Sequence, residues 1–176
     1  DYYGITYERL RRERVYWPCP DISHPGTERL FEQSFAHPDG KARLAVVNHE
    51  VEKEETTALY PLYLTTGRVL PHYLSGTQTR RSPALAARQP EAVMEIHPNT
   101  AKKFNIGPNM LVRIETKRGA AVVRSKYCEH IREDTIFVPF HWSGMQNINK
   151  VIDDQLDPHC LMPAFKRCAA RVRPIV

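Results

Sequence analysis

Long apolar runs are missing from this 176-residue chain. A membrane-spanning helix needs roughly 20 consecutive apolar residues, and no stretch approaches that, so no membrane insertion is expected. The start, Asp1-Tyr2-Tyr3-Gly4, lacks both a Met and a basic-plus-apolar signal. It reads as the interior of a longer chain. Long blocks of one charge are missing too. The net charge is +5, and the Lys and Arg residues are scattered. A mildly basic domain can bind nucleic acid, a phosphorylated cofactor or an acidic neighbour. Without a nucleic-acid motif or an aromatic-rich basic stripe, nucleic acid is not the expected partner. Cysteine is scarce: Cys19, Cys128, Cys160 and Cys168, with no Cys-x-x-Cys pair. Cys160 and Cys168 lack metal-finger spacing, so no metal site is expected. Four reduced, mostly structural thiols fit a cytoplasmic protein.

What is present begins with enough apolar residues for a core, 41% of the chain. The length fits one domain, or one domain plus an appendage. The most informative stretch is residues 64–81. An apolar strand, residues 60–64, runs into a loop rich in Thr, Gly, Arg and His. Gly67 and Gly76 allow tight turns or close approach to a ligand. Hydroxyls and guanidinium groups hold phosphates and polar heterocycles. This loop is expected to grip a large anionic cofactor.

Residues 1–56 read as an extended N-terminal arm or linker, and residues 57–176 as a compact domain. In the arm, residues 7–14 have a short helical pattern, and Pro-rich breaks follow at Trp17-Pro18-Cys19-Pro20 and His24-Pro25-Gly26. Pro38-Asp39-Gly40-Lys41 reads as a turn into a strand at 42–47, then an acidic patch at 50–55. The composition predicts an arm less ordered than the domain, or one packed on a partner surface. In the domain, strands are predicted at 60–64, 93–96, 110–115, 120–127, 136–140 and 168–172. Short helices are predicted at 83–88 and 98–104, the second opening on Pro98. Lys117-Arg118-Gly119 is a hairpin turn, where Arg118 is expected to be solvated. Many short strands with one or two short helices point to a mainly β fold, a small barrel.

Phrases across almost the whole chain carry a resemblance. They are Tyr60-Pro61-Leu62-Tyr63-Leu64-Thr65-Thr66-Gly67-Arg68, His72-Tyr73, Thr77-Gln78-Thr79-Arg80-Arg81 and Glu95-Ile96-His97-Pro98. Next come Lys117-Arg118-Gly119, Phe137-Val138-Pro139-Phe140-His141-Trp142, Leu156-Asp157-Pro158 and Pro163-Ala164-Phe165-Lys166-Arg167-Cys168-Ala169. Each is weak alone, but their order and spacing together are specific. They resemble the C-terminal, molybdopterin-dinucleotide-binding domain of bacterial molybdopterin oxidoreductases, in the assimilatory nitrate reductase and formate dehydrogenase branch. The arm, with Gly4-Ile5-Thr6-Tyr7-Glu8-Arg9, is similar to the segment before that domain.

The resemblance implies a double-psi β-barrel covering a bis-molybdopterin guanine dinucleotide cofactor. Its dinucleotide-binding run falls on Thr66, Gly67, Arg68, His72, Tyr73 and Ser75, with further contacts at Asn149 and Lys166. A position facing the substrate side in some relatives falls near His141, where His replaces an aromatic residue. The family's metal-coordinating residue and iron–sulfur motif lie in earlier domains, so no residue of this chain is expected to be catalytic or to bind metal.

Plainer readings stand beside these. His72 can be a loop histidine, Thr77 and Thr79 a strand edge, and Arg80-Arg81 a solvated pair. Asn147 and Asn149 can be turn residues, and Lys166 a snorkelling side chain. Asp153, Asp154 and Asp157 suit turn or helix-start roles better than an EF-hand loop. The expected function is cofactor cradling within a nitrate reductase that makes nitrite. The partners would be the parent's other domains and an electron donor. The alternatives are a formate dehydrogenase domain and a non-enzymatic β-barrel binding module. A Cys cluster and a mid-chain Cys or selenocysteine in the upstream sequence would separate the enzymes from the module.

Overall fold

The computed structural model describes residues 1–48 and 54–175. They divide into two compact units, Asp1–Glu50 and Val51–Val176. The acidic patch at 50–55 falls largely outside the described residues. Among the described residues no helix is long and apolar enough to cross a membrane.

In the first unit, α1 spans Tyr7–Arg12. Thr6 caps it, its Oγ1 accepting the Arg9 N–H at 3.2 Å. The helix ends sooner than the predicted residue 14 because Glu13 is extended, at φ −147° and ψ 165°. Arg9 then organises the loops. One guanidinium nitrogen donates to the carbonyls of Gly4, Ile22 and His24 at 3.1, 3.2 and 3.0 Å. Cys19 is fully buried beside them. Gly4 is obligatory here, since a Cβ would stand 2.0 Å from the Asp21 carbonyl oxygen and 2.4 Å from Cys19 Sγ. The turn at Pro38-Asp39-Gly40-Lys41 is present, with Gly40 at φ +66° and the Lys41 N–H donating to Asp39 Oδ1. The strand expected at 42–47 is not formed. Leu44, Val46 and Val47 are 96%, 91% and 89% exposed. Apolar alternation makes a strand only when an edge and a covered face are available, and these residues have neither among the described residues.

In the second unit six strands close a barrel among the described residues: β1 (Leu62–Gly67), β2 (Val93–Ile96), β3 (Leu111–Glu115), β4 (Ala120–Tyr127), β5 (Thr135–Pro139) and β6 (Cys168–Pro174). Their order around the barrel is β1-β5-β2-β4-β3-β6. The β1–β5 and β2–β4 pairs are parallel, and the other four contacts are antiparallel. Two short helices, α2 (Pro83–Arg88) and α3 (Pro98–Lys103), sit in the connections. This is a mainly β, double-psi β-barrel, as the resemblance implied.

Period-two alternation explains the closure. Leu62, Leu64, Met94, Ile96, Val112, Ile114, Ala121, Val123, Ile136 and Val138 all point inward and are buried. Small residues on β6, Cys168 and Ala170, complete the interior. Burial raises the Cys168 thiol pKa to about 12, so it is inert. One boundary matters for the site. β1 continues past the predicted residue 64 because Thr65, Thr66 and Gly67 pair with Phe137, Val138 and Pro139. Thr66 and Gly67 therefore end a strand instead of opening a loop.

Candidate functional site

The site is built outward from the end of β1. Thr66 is buried, and its hydroxyl donates to the Phe165 carbonyl at 2.6 Å. Its own carbonyl accepts from Lys166 Nζ at 2.7 Å. Thr66, Gly67 and Lys166 are thus brought together, and Arg68 follows, exposed. Gly67 packs flat under an aromatic ring, where a Cβ would lie 2.6 Å from Phe137 Cε2.

The loop after Arg68 is folded on two histidines. His72 is buried, with Nδ1 3.0 Å from Thr79 Oγ1 and Nε2 2.7 Å from the Gln89 carbonyl. A carbonyl only accepts, so Nε2 carries the proton. Thr79 Oγ1 also receives the Tyr73 N–H at 3.2 Å. Thr79 lies in the 3-10 turn Thr79–Arg81, which replaces the strand edge that its spacing allowed. Tyr73 and Ser75 are exposed, the serine hydroxyl 3.4 Å from that of Thr77. His141 is fully buried under the loop. Its Nε2 accepts the Val69 N–H at 2.9 Å, and its Nδ1 meets the Leu74 carbonyl. Both ring nitrogens are therefore engaged by backbone. Trp142 stands edge-on to His72, with centroids 5.0 Å apart, and its indole N–H donates to the Pro90 carbonyl at 3.2 Å. Burial first, then His72, Arg68 and Arg80, hold the His141 imidazole pKa below its ordinary value, against the pull of the Leu74 hydrogen bond.

Gly76 closes the loop at φ +72°, where a Cβ would stand 2.7 Å from the His141 carbonyl oxygen. Gly144 has a similar φ of +67° but open space around it. Gly76→Ala is therefore expected to cost about 2–3 kcal/mol, and Gly144→Ala only about 1 kcal/mol for its backbone conformation. Urea unfolding midpoints of the two variants check this, and equal losses would contradict the close contact.

Asn149 stands apart, exposed on the 3-10 turn Ile148–Lys150, its N–H donating to Asn147 Oδ1 at 3.1 Å. The electrostatics of the loop are one-sided. Residues 56–90 contain Arg68, Arg80, Arg81 and Arg88 and no Asp or Glu. Among the described residues no carboxylate pairs with Arg68, Arg80 or Arg81. The exposed guanidinium groups of Arg68 and Arg81 and the half-buried one of Arg80, without carboxylate partners, join exposed hydroxyls and backbone fixed from below in a donor set suited to an anion such as a diphosphate.

Arg118 is a correction. It is not a solvated turn residue. Its guanidinium bridges Glu54, Asp153 and Asp154 at 2.9, 2.8 and 2.9 Å, and Glu54 and Asp153 are buried. Two of the expected turn aspartates are thus ion-pair partners, while Asp157 caps its own turn through the His159 and Cys160 N–H groups. Two further residues shape the site without being expected from the sequence: Thr79, and Gln146, whose Oε1 accepts the Ala92 N–H at 2.9 Å. No local pattern announces either pairing.

The fold and this loop first define a class, the small double-psi β-barrel domain with a donor-rich strand-end loop. Residues 62–169 match the family model "Molydopterin dinucleotide binding domain". The chain belongs to that family. It is 60% identical, over 99% of its length, to the "Assimilatory nitrate reductase catalytic subunit" of Bacillus subtilis. It is 37% identical, again over 99%, to the "F420-dependent formate dehydrogenase 1 subunit alpha" of Methanococcus maripaludis. It covers 25% and 26% of those two proteins, about a quarter of their length. The solved structure of acetylene hydratase from Pelobacter acetylenicus matches 72% of this chain and 21% of its own, at a TM-score of 0.62 and 20% identity, a likeness of fold.

Proposed function

We propose that the chain is the domain that cradles the bis-molybdopterin guanine dinucleotide of a nitrate reductase. The observation that carries this is the 60% identity to an assimilatory nitrate reductase subunit across 99% of the chain. The carboxylate-free, Arg-bearing loop supports it. When bound, the cofactor supplies the two-electron chemistry by which nitrate and two protons become nitrite and water. The chain's own part is binding, orientation and electrostatics.

Within that reading the site residues divide by exposure. Arg68, Tyr73, Ser75, Asn149 and Lys166, all exposed, are the direct contacts, and the backbone of the buried Gly67 joins them. The Arg68 fork holds diphosphate oxygens, and the Asn149 amide reads a pterin edge. Thr66 and His72, both buried, hold the contacting segments in place. The arm, residues 1–56, packs on the remaining domains of the parent subunit, which supply the metal ligand. A separate protein or subunit donates electrons, and the enzyme works in the cytoplasm. The 37% identity to a formate dehydrogenase subunit keeps formate oxidation as the second reading.

The parent subunit, purified intact, is expected to reduce nitrate with a reduced viologen dye and not to oxidise formate. Formate oxidation without nitrate reduction would reverse the assignment. The 176-residue chain alone is expected to hold no stoichiometric molybdenum or iron. Metal analysis finding about one molybdenum per chain would contradict the placing of the metal ligand elsewhere.

A further inference from the structure

His141 serves two backbone groups on either side of the loop's first bend. The Val69 N–H can only donate, and the Leu74 carbonyl can only accept. The ring is therefore the neutral tautomer with its proton on Nδ1. The neighbourhood of Arg68 gives this arrangement its consequence. On one side of Arg68, the Gly67 carbonyl accepts the Phe140 N–H at 3.2 Å. On the other, Val69 is held by His141 at 2.9 Å. Arg68 is the exposed residue between two neighbours anchored on consecutive positions, 140 and 141.

We propose that His141 is the positioning residue of the dinucleotide loop, holding Val69 and so Arg68 in place for a nucleoside diphosphate, and releasing them when its ring gains a second proton. The proposal rests on the cofactor-cradling reading above. A second proton must go on Nε2, where it opposes the Val69 N–H, donor against donor. The charged and titratable groups around the ring are His72 in the loop, Arg68 after β1 and Arg80 in the 3-10 turn. Phe140 and Trp142, also against it, are uncharged.

The sign follows from linkage. The closed loop holds the ring with a lowered pKa, burial being the largest cause. The opened loop returns the ring to an ordinary value of about 6.5. As pH falls below about 6.5 the opened form takes up the proton first. Closure then weakens by at most about tenfold per pH unit, until the pKa of the closed form is reached.

The test uses the 15N-labelled 176-residue chain with guanosine diphosphate as the probe, at pH 7.5 and 5.5. Gln at 141 places an acceptor near the Nε2 position and does not titrate. Asn places an amide donor near the Nδ1 position and leaves Val69 free. In the wild type the Kd is expected to rise on acidification by up to about tenfold more than in His141→Gln, a comparison that cancels protonation of the probe itself. At pH 7.5 His141→Gln should bind within about twofold of wild type, and His141→Asn about tenfold more weakly, the loss of one hydrogen bond of about 1.4 kcal/mol. Protection of the Val69 amide from exchange should follow the same order. Equal binding by the Gln and Asn variants, or equal pH dependence in wild type and His141→Gln, overturns the proposal. No probe binding in a wild type that still protects Val69 overturns the cradling reading, and the proposal with it.

Discussion

Arg118→Ala is expected to destabilise the barrel by about 3–5 kcal/mol, the cost of stripping the cation from buried carboxylates. Glu54 is 7% exposed and Asp153 is 4% exposed, so neither can turn to solvent for compensation. Asp154, with its side chain 85% exposed, contributes little. The site is already tight. Among the described residues Glu54 Oε1 is buried without a hydrogen bond, with Lys117 Nζ 3.9 Å away. Arg118→Lys should recover only part of the loss, because one ammonium cannot serve three carboxylates in a fork. Urea unfolding followed by circular dichroism reads the effect. A loss within about 0.5 kcal/mol, the range of ordinary surface substitutions, would show that the cluster is solvated.

Arg68→Ala in the intact parent is expected to lower cofactor retention by about tenfold or more. A charge-assisted hydrogen bond contributes roughly 1.5–3 kcal/mol, and 1.4 kcal/mol is about a factor of ten. Arg118 cannot serve as the control, since its loss is itself expected to destabilise the barrel. Lys102, exposed on α3, is the suitable one. Guanine nucleotide bound per chain after dialysis, compared between Arg68→Ala and Lys102→Ala, measures the difference. Equal retention would remove Arg68 from the site.

The barrel was legible where burial is periodic. Met94 and Ile96, Val112 and Ile114, and Val123 alternate with exposed or half-buried neighbours, and those strands lie within a residue of where they were expected. Residues 42–47 carry a similar apolar pattern but form no strand, because pattern alone does not provide a partner edge. The last residues of β1 were illegible for the opposite reason. Thr65 and Thr66 suit a strand, but their polar side chains break the apolar run and Gly67 reads as a turn, so it is pairing with Phe137, Val138 and Pro139 that sets their conformation.

The site was legible as residue types more than as roles. The loop 64–81 stood out by its hydroxyls and guanidinium groups. That His141 would clamp backbone 72 and 67 residues earlier in the chain could not be read locally. Arg118 was misread for the same cause. A hairpin turn implies solvent, yet its partners Glu54 and Asp153 lie 64 and 35 residues away in sequence.

In the proposed reading the loop following β1 carries the dinucleotide. A density map of the parent subunit with its cofactor bound tests it most directly. A diphosphate is expected at a charge-assisted hydrogen-bond distance of about 2.7–2.9 Å from the Arg68 guanidinium, over the loop that His72 and His141 support. A dinucleotide seated elsewhere, such as the surface cavity lined by Glu91, Asn109, Arg124 and Tyr127, would contradict it.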